Sequence, residues 1–152
     1  MLLLAAMPWL ALATSGAHFF HDTTDSVASN GSLVIHIDEA GVGQNTVNYT
    51  VTVANATATY ACINGGGNHP QAANKETFSS NIASDLSFTP QNGRVDVTTS
   101  INGTPLSAGN FSCPGGQTLV FASATYSGIT FTDTTNSVSI SLPDVSRTFV
   151  NF

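Results

Sequence analysis

Four histidines and one loop crowded with amides are the residues of this chain best equipped for chemistry. If the chain is cut after Ala17, His18 carries a free α-amine beside its ring, and two nitrogens from one residue suit Cu(II). A further imidazole would have to come from His21, His36 or His69. His36 alternates with Val34 and Asp38 in a strand-like run, so the three share a face. The plainer reading of His18 is a histidine that merely follows a leader.

The loop runs from Cys62 to Glu76. Gly65, Gly66 and Gly67 followed by Pro70 cannot continue a strand, so two strands must be joined here by backbone of unusual angles. Asn64, Asn68, Gln71 and Asn74 present paired donors and acceptors that match sugar hydroxyls, and His69 lies among them. The alternative is a long connection held by its own Asn side chains.

Motifs for covalent catalysis are missing from the sequence. There is no Gly-X-Ser-X-Gly, no His-Glu-X-X-His and no glycine-rich loop opening a helix. The carboxylates are too scattered to nominate the facing pair that glycoside hydrolysis requires. Asp22, Asp25, Asp38, Glu39, Asp133 and Asp144 offer oxygens for Ca²⁺, though none fall at EF-hand spacing. Asp38-Glu39 and Asp133 could meet at one end of a sandwich, where such carboxylates more often accept turn hydrogen bonds.

Leu2 to Ala13 is an apolar run too short for a hydrocarbon core that takes about 20 residues, and Ser15-Gly16-Ala17 supplies the small residues of a cleavage site. Residues 1–17 are therefore expected to be a signal peptide, and residues 18–152 a single secreted domain, large enough for one core. Asn30, Asn48, Asn55, Asn102 and Asn110 each open an Asn-X-Ser/Thr sequon, expected to be glycosylated. Three basic and nine acidic residues give a net charge of −6. Scattered Lys75, Arg94 and Arg147 exclude nucleic acid and anionic membrane surfaces as partners. In an oxidising compartment Cys62 and Cys113 default to one disulfide closing a loop of about 50 residues, with free thiols or metal ligands as the alternatives.

Period-two alternation then says what must position these residues. Val47, Tyr49, Val51 and Val53 alternate with Asn48, Thr50 and Thr52, and Val95 to Ile101 repeats the pattern after Asn92-Gly93, a dipeptide that favours a tight hairpin turn. Residues 33–37, 57–63, part of 78–88, 119–126, 129–132 and 138–142 read as further short strands. No window carries helical spacing. The expected fold is all-β, a Greek-key, immunoglobulin-like β-sandwich of about seven or eight strands.

Three resemblances add to this reading. The run Cys62-Ile63-Asn64-Gly65-Gly66-Gly67-Asn68-His69-Pro70 with Ala72-Ala73-Asn74-Lys75, and Phe111-Ser112-Cys113-Pro114-Gly115-Gly116-Gln117-Thr118 downstream, resembles a group of small secreted proteins of actinobacteria and filamentous fungi. That likeness implies secretion and a paired Cys62 and Cys113, and it supplies no catalytic residues. A chain opening on His18 resembles the start of the lytic polysaccharide monooxygenases and related copper-binding fungal proteins. Tyr60-Ala61-Cys62 is similar to the tyrosine-before-cysteine spacing of immunoglobulin domains, but it precedes the first cysteine, and the one tryptophan, Trp9, is in the leader. The functional expectation is a secreted, non-enzymatic, extracellular module at the cell surface or wall, with carbohydrate as partner and no cofactor. A copper protein using His18, His36 and His69 comes next, then a structural surface-coat protein, with oligomeric state open.

Overall fold

The computed structural model describes residues 16–64 and 74–151. They form nine strands and no α-helix: β1 (His18–Phe19), β2 (Thr24–Val27), β3 (Leu33–Ala40), β4 (Val47–Asn64), β5 (Lys75–Phe88), β6 (Arg94–Ser100), β7 (Gln117–Asp133), β8 (Val138–Leu142) and β9 (Val145–Thr148). In the smaller antiparallel sheet β3 lies between β6 and an edge column made of β1 and then β2. In the larger sheet the order is β5-β4-β7, with β8 and then β9 along the far side of β7.

Taking each broken column as one strand, three columns face four. β3 pairs with β6 while β4 and β5, between them in sequence, cross to the other sheet, which is Greek-key connectivity of the immunoglobulin type. The all-β sandwich expected from alternation is therefore the fold. Nine strands replace the seven or eight expected because both outer columns on one flank are interrupted.

Alternation places the core directly. Leu33, Ile35 and Ile37 of β3 face Val47, Tyr49, Val51 and Val53 of β4 and Ile129 and Phe131 of β7, all buried. Partway along β4 the phase changes, since the buried positions move from Tyr49, Val51 and Val53 to Ala56 and Ala58. β7 changes phase at the same level, from Ala124 and Tyr126 to Ile129 and Phe131. Gly128 there has φ +62°, and a Cβ on it would stand 2.6 Å from the Cβ of Ala54. The two strands can turn over together because one of them lacks a side chain at the crossing.

The Asn92-Gly93 turn forms as the dipeptide predicts, with φ of 52° and 76° and reciprocal backbone bonds between Gln91 and Arg94 at 2.8 and 3.1 Å. Its ladder stops at that pair, because β5 continues in one sheet and β6 in the other.

Candidate functional site

β4, β5 and β7 run on past the phase change, and their far end carries the described part of the amide-rich loop. Asn64 lies in register with Gln117, and Asn74 Nδ2 donates to Gln117 Oε1 at 3.0 Å. Asn68, His69 and Gln71 lie outside the described residues. Beneath this end, on the inner face, the segment 101–116 is bonded to Ser32 and Leu33 through Ile101 and Thr104 and is fastened to β4 at two points. Cys62 is bonded to Cys113, and the Tyr60 hydroxyl donates to the Leu106 carbonyl at 2.9 Å. Tyr60 and Cys62 thus serve as two inward positions of one strand.

The outer face of the larger sheet is a ladder of small hydroxyls, as register shows. Four rows cross it: Asp85-Thr50-Thr132-Ser139, Ala83-Thr52-Thr130-Ser141, Ser79-Thr57-Thr125-Ser146 and Thr77-Thr59-Ser123-Thr148. Every position except Asp85 and Ala83 is Ser or Thr. Direct bonds link Thr59 with Thr77 and Thr132 with Ser139, each at 2.9 Å. Next to the amide end this face sinks into an open depression of about 450 Å³, lined by Thr59, Lys75, Thr77, Ser123, Thr148, Val150 and Asn151. Sequence reading found the amides and missed the hydroxyl rows, which appear only once the strands are placed side by side.

The outer face of the smaller sheet is charged instead. Arg94 grips Asp38 through Nε and Nη2 at 2.7 and 2.6 Å and lies 5.2 Å from the centre of the Phe20 ring. Asp38 is 4% exposed, so the guanidinium supplies the charge and donors that a buried carboxylate needs. This pair also separates the two described histidines of the copper reading. His18 is opposite Ala40, four residues along β3 from His36, or roughly 13 Å. Its Nδ1 bonds the Gly16 carbonyl at 2.9 Å, whereas His36 turns to Thr98 at 3.1 Å and towards Asp96. His21 pairs with Asp22 at 2.9 Å, and His69 is outside the described residues. β3 therefore holds His36 apart from His18, and among the described residues no three His, Cys, Asp or Glu side chains converge as metal ligands do.

Between the sheets Glu39 and Asp133 do meet, as their positions suggested, but they meet in the core. Both are fully buried. Asp133 accepts from Thr135 N, Asn136 N and Asn136 Nδ2 at 2.8, 2.9 and 2.6 Å, which fixes the turn between β7 and β8. Glu39 Oε2 accepts from the Tyr49 hydroxyl at 2.8 Å. Burial, with the neighbouring Asp133 charge adding to it, pushes the Glu39 carboxyl up to about 7 against the opposing Tyr49 bond.

The asparagines of all five sequons, Asn30, Asn48, Asn55, Asn102 and Asn110, are exposed. No helix among the described residues is long and apolar enough to cross a membrane. No protein-family model matches the chain, and neither a curated protein nor a solved structure matches it.

Proposed function

We propose that the chain is an extracellular, non-catalytic module that binds carbohydrate of a cell surface or wall on the outer face of its larger sheet, at the end carrying Asn64, Asn74 and Gln117. The observation that carries this reading is the depression at that end of the outer face, where the hydroxyls of Thr59, Thr77, Ser123 and Thr148 and the amide of Asn151 stand together beside Lys75 and Val150. Such groups both donate and accept, as sugar hydroxyls do, and they match a neutral polymer better than a charged one. The exposed sequons and the disulfide support export.

Depletion assays on insoluble cellulose, chitin and β-glucan, with a glycan array beside them, test the reading. Thr59→Val with Thr77→Val removes both partners of one hydroxyl pair while keeping their shape, a change close to neutral for folding. Retention of the wild type on one polymer, lost in this double variant and in Asn74→Ala, is the expected result. Retention on none of them, or retention indifferent to these substitutions, overturns the reading.

A further inference from the structure

We propose that the free edge of β5 is a self-association surface, on which a second copy of the chain pairs antiparallel about a two-fold axis through Ser80. β5 spans Lys75–Phe88 at the border of the larger sheet and contains no proline. Among the described residues it makes no backbone–backbone hydrogen bond other than those to β4. A long, unbroken edge of this kind is a template for another strand.

The opposite flank is guarded against such pairing. Its columns are interrupted at residues 20–23 and at Pro143-Asp144, and Arg147 Nη1 reaches the Val27 carbonyl at 3.2 Å, so that β9 closes towards β2. Only the β5 side of the larger sheet is left continuous.

What selects a second copy is the sequence of the strand. An axis through Ser80 sets Lys75 opposite Asp85 and Phe78 opposite Ile82, and symmetry makes each pair twice. Lys75 and Asp85 share the outer face, where Asp85 Oδ1 accepts from Thr50 at 2.8 Å and a second oxygen is left for an ammonium. Phe78 and Ile82 share the inner face and are both half-buried, so pairing would cover more of each. Moving the axis to Ser79 or Asn81 sets Lys75 against Ala83 or Ser87, and the charge match is lost. Opposite charges directly across a ladder stabilise it and like charges oppose it.

The test is sedimentation equilibrium on the intact, disulfide-bonded protein, with no carbohydrate added, so its outcome is separate from the polymer assay. A concentration-dependent dimer is expected. Lys75→Glu or Asp85→Lys alone should weaken it by on the order of tenfold or more, and the two together should restore it, since the charges then match again. Ser80→Cys sits on the axis, where facing Cα atoms are about 5 Å apart, and should oxidise to a disulfide-linked dimer, whereas Ser87→Cys should stay unlinked. A monomer up to millimolar concentration, a dimer indifferent to both single reversals, or a double variant that remains weak overturns the proposal.

Discussion

Tyr49 donates its phenolic hydrogen to Glu39 at 2.8 Å, and this bond joins one sheet to the other across the core. The titratable groups facing Glu39 are Tyr49 from β4 and Asp133 from β7, while its register neighbours on β1 and β6 are the apolar Phe19 and Val95. Neither is a cation. The favoured way to bury this carboxyl is to keep its proton, and a protonated Glu39 can accept from Tyr49 while donating towards Asp133.

Stability should therefore fall as pH rises through the range from about 4.5 to about 7. Over that window the folded chain holds a proton at Glu39 that the unfolded chain has released. The full effect is on the order of 3 kcal/mol once both states are ionised. Burial also raises Asp25, which adds slope of the same sign. Chemical denaturation from pH 4 to pH 8 should show a flatter profile for Glu39→Gln than for the wild type, because the amide still accepts from Tyr49 and does not titrate. Parallel profiles would remove Glu39 as the cause.

Gly128→Ala should cost about 2–4 kcal/mol, since it combines a positive φ with a methyl driven into Ala54. Adding Ala54→Gly clears the collision and leaves the backbone cost, so the double variant should recover part of the loss. Urea midpoints of the three proteins measure it.

Tyr126→Phe should lose about 1–2 kcal/mol. The buried Tyr126 hydroxyl donates to the Gly31 carbonyl at 2.7 Å, and its removal leaves that acceptor without this donor. Calorimetry should show a lower melting temperature with an unchanged circular-dichroism spectrum.

Replacing Cys62 and Cys113 together by Ser should cost up to about 4 kcal/mol, from the span of 51 residues that the disulfide closes. Tyr60 still holds Leu106, and Thr104 still bonds Ser32 and Leu33, so the loss of protection in hydrogen exchange should concentrate in residues 107–116 and spare β3.

Periodicity was legible wherever one face of a strand is dry and the other wet, as at Val47 to Val53. It misled where both strands change phase. Residues 47–53 and 57–63 read as two strands, as do 119–126 and 129–132, yet each pair is one continuous strand broken in pattern at Ala54-Asn55 or Ser127-Gly128. β1, β2 and β9 are two to four residues long, too short for alternation to register. The amides at Asn64 and Asn74 were visible as composition. The hydroxyl rows were not, because a row is made by four strands distant in sequence, and each strand alone shows only the Thr that a pleated surface favours. Arg94 was passed over for a similar reason, since nothing local to it announces Asp38.

The interrupted flank has a mechanical consequence. His18 pairs at the Ala40 end of β3, and Thr148 pairs with Ser123, well towards the other end of the larger sheet. Tension applied between these two points acts along the strand axes, so it shears β1 and β2 against β3, and β9 against β7, instead of peeling them one bond at a time. Bonds sheared together share the strain. A sandwich tethered through its two outermost segments is thereby suited to hold under traction, and it should yield first at the two-residue β1.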